Sequence, residues 1–303
     1  MIIRNSRNWF TLLFVWRGSV LKKILPQLGI LTLFSAGVCV FHGWVPHYTL
    51  HINPVLFTLL GLSLAIFMGF CNTASYDRFW EGRKLWGSLV IETRSLVRQV
   101  LTLVESDRAE KVRFVNLVVA FCWALNFQLR KKDGSLRLRR VLLAEDYAQI
   151  ENKVFKPVAL LDLMAAWVAE KLRTGGLDPI RLAQIDVQLN ALSNVAGGCE
   201  RIASTPLPFP YRLLLHRTAY LYCFFLPFGL VEMLGWATPF LVLFISYTFI
   251  GLDAVIDEVS EPFGEEENDL ALDTICHTIA FSVREQAGME QAPLVKPDRY
   301  VLR

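Results

Sequence analysis

The chain has 303 residues, of which 53% are hydrophobic and 19% are charged, against about 25% charged residues in typical soluble proteins. This composition predicts a membrane protein with a sizeable soluble part, in one or two domains. The net charge of +3 is too small to indicate a nucleic-acid partner, and we predict none.

The N-terminal segment, residues 1–23, has basic residues around a short apolar run from Trp9 to Trp16. A signal peptide would have small residues after its apolar core, whereas Arg17 follows this one. The run is too short to span a bilayer. We therefore predict an interfacial helix in which Trp9 and Trp16 are the membrane anchors.

Four apolar segments, 24–41, 53–76, 213–230 and 237–252, predict transmembrane helices. The loops 42–53 and 231–237 contain no Lys or Arg, whereas the segments 77–210 and 253–303 contain many. Because basic residues favour the cytoplasmic side, we predict a multi-pass protein with both termini in the cytoplasm. The predicted parts are the interfacial segment 1–23, spans 1 and 2 (24–76), a helical cytoplasmic domain (77–210), spans 3 and 4 (211–252) and an acidic tail (253–303).

Two further features of these segments invite interpretation. The loop 42–53 contains His42, His47 and His51, but no carboxylate or cysteine joins them, which favours a solvated loop over a metal site. The apolar run 114–129 has only 16 residues and includes Asn116 and Asn126. It predicts a buried core helix rather than a fifth span, which also keeps the basic stretch 130–140 inside.

The second span carries two neighbouring rows of residues at i, i+4 spacing, which share one side of a helix. The small row, Gly61, Ala65 and Gly69, would let another helix approach closely. The large apolar row is Leu62, Ile66 and Phe70. It either faces lipid, which is the default in a span, or faces a shared axis and narrows a pore.

The cytoplasmic domain reads as a long helix leaving span 2, followed by amphipathic helices at 141–173 and 178–203. Asp178-Pro179 is a helix-start signal, and Ile180 is the first exposed apolar residue of the second of these helices. The proline-rich stretch 204–211 then predicts a rigid connector.

An acidic stretch follows span 4. Its carboxylates are dense enough to coordinate calcium, to pair with the Arg-rich helices 77–113, or to form a solvated loop. The spacing is not that of an EF-hand loop. The residues concerned are Glu261, Pro262, Phe263, Gly264, Glu265, Glu266, Glu267 and Asp269.

Several kinds of chemistry are missing from the sequence. It has no nucleotide-binding or hydrolase motif, no charged residue in the middle of a predicted span, no visible inverted repeat and no C-x-x-C pair among its six cysteines. We therefore predict no catalytic residue, no structural zinc, no disulfide framework and no resident cofactor. A passive conduit formed by a symmetric ring of subunits is compatible with these absences.

Three stretches together resemble the bestrophin family of ion channels, in its bacterial branch. They are the run from Ile66 to Trp80, which begins I-F-M-G-F and ends R-F-W, the C-E-R-I-x-x-T-P-L-P segment from Cys199 to Pro208, and E-P-F-G-E-E-E-N-D from Glu261 to Asp269. The resemblance covers nearly the whole chain.

The resemblance implies an all-α membrane protein with four transmembrane helices per subunit and a large cytoplasmic helical domain. It implies a homopentamer around a central pore, so that the partners are four further copies, monovalent ions and membrane lipid. It also implies a neck of three apolar rings, which match Leu62, Ile66 and Phe70, and a second constriction near Ile180. The expected location is a bacterial inner membrane.

The acidic stretch departs from the calcium clasp of the animal members. Glu261 stands where they have asparagine, and Glu265, Glu266 and Glu267 replace most of the aspartates. The longer side chains crowd a cage built for shorter ones, which argues against calcium gating. Animal members pass chloride, so the resemblance keeps chloride open as the permeant ion, whereas acidic groups near the cytoplasmic vestibule would favour sodium or potassium. Between these two alternatives we lean towards cations.

Two other functions fit the same sequence. A non-conducting scaffold or sensor would bind a partner through residues 77–210, and a membrane enzyme would use His42, His47 and His51. We rank the passive ion channel first, the scaffold second and the enzyme third.

Overall fold

The computed structural model describes residues 1, 2, 10, 15–44, 54–291, 293 and 302. The predicted anchor Trp9 and the loop residues His47 and His51 lie outside these residues. Within 15–44 and 54–291 the regular elements are all helical. They are α1 (Leu21–Trp44), α2 (Pro54–Leu103), α3 (Arg108–Leu129), α4 (Ser135–Val141), α5 (Ala144–Ile150), α6 (Lys156–Arg173), α7 (Pro179–Ser204), α8 (Phe209–Leu234), a 3₁₀ turn (Gly235–Ala237), α9 (Thr238–Ser260) and α10 (Leu272–Gln286).

By length and composition, four helical stretches could cross a membrane: Leu21–Trp44, Val55–Leu103, Arg108–Leu129 and Phe209–Ser260. The last of these is divided by the 3₁₀ turn into α8 and α9. Between 17% and 28% of the apolar window is buried inside the protein in three stretches, but 67% is buried in Arg108–Leu129. That burial is what the predicted core helix at 114–129 requires, because a helix that faces lipid exposes its apolar side chains.

The chain divides into two compact units. The apolar unit comprises Asn5–Phe79 and Pro206–Glu261, and the polar unit comprises Met1–Arg4, Trp80–Thr205 and Pro262–Arg303. The units therefore change near the predicted boundaries after residues 76 and 210. The predicted boundary after residue 252 falls inside α9, which continues to Ser260.

The core of the apolar unit lies between α1, α2, α8 and α9. Ile24 and Leu28 of α1 pack with Cys223 of α8 and Ile250 of α9. Leu64 and Met68 of α2 pack with Leu215 and Ala219 of α8 and with Ile256 of α9. The α2 residues in these contacts, Leu64 and Met68, are four positions apart and therefore lie on the same stripe of the helix.

The core of the polar unit lies around α3, most of whose side chains are buried. Asp107 caps the helix by accepting a hydrogen bond from the Glu110 amide at 2.7 Å. Arg113 binds the buried Asp146 carboxylate of α5 through two nitrogens, at 3.0 and 2.6 Å. Such a two-point contact fixes geometry as well as charge.

The predicted single helix over 141–173 is wrong. Leu142 and Leu143 have extended backbone, with ψ of 154° and 152°, and α5 ends at Ile150 before α6 begins at Lys156. Pro157 lies in the first turn of α6. Proline has no backbone N–H to donate, so it suits the start of a helix and interrupts a helix interior.

One glycine contact in the apolar unit leads to a stability prediction. A Cβ atom on Gly229 of α8 would overlap the Phe57 ring of α2, whereas a Cβ on Gly37 of α1 would meet no atom within 4 Å. We expect Gly229→Ala to destabilise the protein by about 1–3 kcal/mol through overpacking. The matched control Gly37→Ala should be neutral or stabilising by up to about 1 kcal/mol, because alanine suits a helix better. Thermal unfolding in one detergent compares them, and equal melting temperatures would contradict the close α2–α8 packing.

Candidate functional site

The predicted pore row lies on one exposed stripe of α2. Leu62, Ile66 and Phe70 expose 59%, 53% and 70% of their surface. The buried residues Leu64 and Met68 are two positions from members of the row, which is about 200° around a helix. The row therefore faces away from the buried contacts of α2 with α8 and is available to lipid or to other copies of the chain, with Phe70 at the border of a cavity between α2, α8 and α9.

The predicted packing row beside it has two different environments. A Cβ on Gly61 would lie 2.9 Å from the Tyr222 hydroxyl of α8, so Gly61 permits a close contact inside the same chain. Ala65 is exposed, and a Cβ on Gly69 would meet nothing within 4 Å. Approach of a helix from another copy along Ala65 and Gly69 stays a prediction.

Charged side chains gather at the end of the apolar unit where α1 and α8 begin and α9 ends. The Lys23 ammonium lies 3.1 Å from the Glu258 carboxylate, and Arg212 Nε lies 2.6 Å from Asp257 Oδ1. Nδ1 of His216 lies 2.7 Å from the Asp253 carboxylate. Each pair joins α9 to a neighbouring helix.

Sequence reasoning missed the pairing of His216 with Asp253. The signal was present, because His216 is a few residues into the predicted third span and Asp253 directly follows the predicted fourth span. Antiparallel helices bring these two positions to one level. The fourth apolar segment ends at residue 252, and Asp253 was therefore assigned to the acidic tail.

Ile180 lies in the first turn of α7, in the polar unit, and 78% of it is exposed. The Asp178 side chain caps the helix by accepting hydrogen bonds from the amides of Ile180 and Arg181, at 2.9 and 3.0 Å. A capped turn holds its backbone firmly. The apolar side chain is thus presented to the surface from a fixed position, as a constriction would need.

The acidic segment is held by cations of the polar unit. Arg130, at the C-terminal end of α3 and only 5% exposed, lies 3.0 Å from Asp273 and 4.0 Å from Glu265. It also donates hydrogen bonds to the carbonyls of Phe263 and Leu270. The Lys132 ammonium contacts Glu265 at 2.5 Å.

This donor set does not fit a calcium ion, which takes six to eight oxygens. Glu265 is already bound to two cations, and Asp269 accepts a hydrogen bond from the Glu266 amide at 2.7 Å. Within the described part of the chain, no three His, Cys, Asp or Glu side chains converge as metal ligands. Glu261 caps α9 in the apolar unit, and Phe263 packs at Gly82, where a Cβ would lie 3.0 Å from its ring.

The six cysteines, all of them in described segments, are free thiols, as their spacing predicted. Cys71 on α2 is half-buried, and the other five are buried. In the polar unit, burial raises the pKa of the Cys199 thiol to about 12. Since the thiolate is the reactive form, this raised pKa lowers the reactivity of Cys199. Cys71, which is only half-buried, is the thiol most accessible to a reagent in solution.

Comparison with known proteins gives a consistent answer. The model of a family described as bacterial/fungal bestrophin protein matches residues 1–285. A voltage-dependent anion channel-forming protein of Ralstonia nicotianae is 43% identical over 291 residues, which is 95% of each chain. The Escherichia coli K12 protein YneE, which has the same description, is 42% identical over 301 residues and 99% of each chain. The crystal structure of a bacterial bestrophin homologue from Klebsiella pneumoniae matches at 40% identity with a TM-score of 0.85, covering 89% of this chain and 100% of that one.

The role of Arg130 can be tested by removing its charge. We expect Arg130→Gln to increase amide hydrogen exchange in residues 262–272 by about tenfold or more, because the carbonyls of the buried residues Phe263 and Leu270 lose their partner. Lys131→Gln is the matched control, since it removes the same charge from the next, exposed residue. Equal exchange in the two variants would show that Arg130 does not hold the segment.

Proposed function

The chain belongs to the bacterial and fungal bestrophin family, it is a membrane ion channel rather than an enzyme, and we propose that it conducts small monovalent ions passively through a pore shared by five copies. The observation that carries the pore is the exposed apolar row of α2. A single α2 cannot enclose a pathway, so a symmetric ring around one axis is required. Five copies of Leu62, Ile66 and Phe70 then form three successive apolar rings.

These rings act on an ion through water. An apolar constriction offers no oxygen to replace the hydration shell of an ion, and it conducts poorly when it loses its own water. The row therefore acts as a gate or constriction in this proposal, with the small residues Ala65 and Gly69 beside it at the contacts between copies. Ile180 supplies a second constriction in the polar unit.

We further propose that the protein lies in the bacterial inner membrane with both termini in the cytoplasm. Support comes from the basic residues Lys22, Lys23, Arg212 and Arg217, which fall at the starts of α1 and α8. The turn Gly235–Ala237 at the other end of α8 has no basic residue and carries the exposed Trp236. Positive charges on the cytoplasmic side and tryptophan at an interface are the usual pattern.

For ion selectivity we propose a preference for cations. At the charged end of the apolar unit, the carboxylates Asp253, Asp257, Glu258 and Glu261 lie among the basic residues of α1 and α8, and Asp253 and Asp257 border an apolar cavity beside Phe70. Carboxylates beside an ion path raise the local concentration of cations. The Ralstonia and E. coli relatives are named as anion channel-forming proteins. A cation preference in this protein and an anion preference like theirs predict reversal potentials of opposite sign.

The proposed neck predicts which side-chain truncations change the conductance. Ile66→Ala and Phe70→Ala should each raise single-channel conductance by about twofold or more, because a wider apolar ring holds water more readily. Leu60→Ala is the control, since Leu60 is an equally exposed apolar residue of α2 about 120° around the helix from Ile66. If the row faces lipid, all three variants will conduct like the parent, with pentamers verified by native mass spectrometry.

The reversal potential of the purified protein in a planar bilayer tests selectivity. Under a tenfold potassium chloride gradient, an ideally cation-selective pore reverses at about 59 mV, with the sign of the potassium equilibrium potential. We expect that sign. The opposite sign would establish an anion channel like the named relatives, and a silent bilayer containing intact protein would favour a non-conducting scaffold.

A further inference from the structure

A cavity of about 340 Å³ lies entirely within the apolar unit, at its charged end. One wall is α2, which contributes Phe67, Phe70, Cys71 and Ala74. The other walls are the connector before α8, the first turns of α8 and the last turns of α9. Its volume is at the lower end of the range for small-molecule sites.

The body of the cavity is apolar. Two of its lining residues, Phe67 and Tyr211, stack on each other with ring centroids 5.9 Å apart. Leu215 and Ile256 are buried at its base. A ligand would therefore gain affinity by placing an aromatic or aliphatic group here, since removing apolar surface from water is favourable.

The polar rim of the cavity carries more negative than positive charge. Arg212 pairs with Asp257 at 2.6 Å, and both Asp253 and Glu261 also act electrostatically on the Arg212 guanidinium. Asp253 is buried and is bound by His216 at 2.7 Å. Among the residues that line the cavity, two carboxylates, Asp253 and Asp257, face one permanent cation, Arg212, and an apolar surrounding strengthens the attraction for a further cation.

We propose that this cavity binds a small amphipathic cation, with its apolar body between Phe70, Tyr211 and Ile256 and its charged group beside Asp253 and Asp257. A molecule with one ammonium group and an aromatic ring fits both the volume and the charge. A neutral ligand would leave the surplus carboxylate charge unmet, and an anion would be repelled by it.

Phe70 connects this site to conduction. The residue lines the cavity and also belongs to the proposed neck, so a bound cation contacts a side chain of the gate. This link rests on the proposed function. The binding itself does not, and it is measured below without any current.

Cys71 provides a reporter inside the cavity. Its thiolate attacks the sulfenyl sulfur of a methanethiosulfonate reagent, a new S–S bond forms, methanesulfinate leaves, and the thiol proton passes to the buffer. The rate constants of the trimethylammonium-ethyl and the sulfonato-ethyl reagents are measured on the full chain in nanodiscs by intact mass spectrometry. Each is divided by the rate constant of the same reagent with 2-mercaptoethanol.

We expect the normalised rate at Cys71 to be about tenfold or more higher for the cationic reagent. Asp257→Asn should reduce this preference to about threefold or less. Glu232→Gln, the same charge change at the other end of α8, should leave it unchanged. Peptide mapping must place the adduct on Cys71.

Protection tests the ligand class directly. Millimolar benzyltrimethylammonium should slow modification of Cys71 by the neutral methyl methanethiosulfonate at least threefold, and benzenesulfonate at the same concentration should not. Equal effects of the two probes, no rate preference between the charged reagents, or a Cys71 that reacts only after denaturation would each overturn the proposal. None of these outcomes depends on whether the protein conducts.

Discussion

The apolar row of α2 is available to a pore because the opposite stripe of the same helix is committed to its own chain. Leu64 and Met68 are buried against α8 and α9, and the absence of side chains at Gly61 and Gly229 lets Tyr222 and Phe57 approach closely. These contacts fix the rotation of α2 about its axis. Once that rotation is fixed, Leu62, Ile66 and Phe70 have to point away from the subunit core.

The charged end of the apolar unit depends on the same packing. Helices α1 and α8 bring basic residues to the end of α9, where Lys23, Arg212 and His216 each meet a carboxylate. Charges at this depth need partners because desolvation is costly. Two of these carboxylates, Asp253 and Asp257, also line the cavity beside Phe70. Phe70 of the proposed neck therefore lies both on the exposed stripe of α2 and beside the charged end of the apolar unit.

Much of this arrangement could be predicted from the sequence, because hydropathy and helical period depend on residues close together in the chain. The four spans, the core helix at 114–129 and the exposed row on α2 were predicted in this way. The break at Leu142 and Leu143 was not, since neither residue is a helix breaker and their extended backbone depends on tertiary contacts. Nor was the His216–Asp253 pair, because it joins two helices and no local pattern records which turns face each other.

The two small residues Gly61 and Gly69 show the same limit within a single row. Both have the spacing of a close helix contact, yet Gly61 meets Tyr222 of its own chain and Gly69 meets an open surface. Sequence spacing identifies the stripe, and only the fold shows which part of it is already used.

The contacts of the acidic segment indicate which part of the protein could respond to a signal that controls conduction. An exchangeable ion could make the conformation of residues 262–270 depend on its concentration, but here the Glu265 carboxylate is bound by the side chains of Arg130 and Lys132, and Arg130 also binds the carbonyls of Phe263 and Leu270. Because these cations are side chains of the protein itself, the contacts do not depend on the concentration of a free ion. The segment is therefore held constitutively. A signal that changes conduction is then better sought where a side chain of the proposed neck borders an accessible cavity, which in the apolar unit is Phe70.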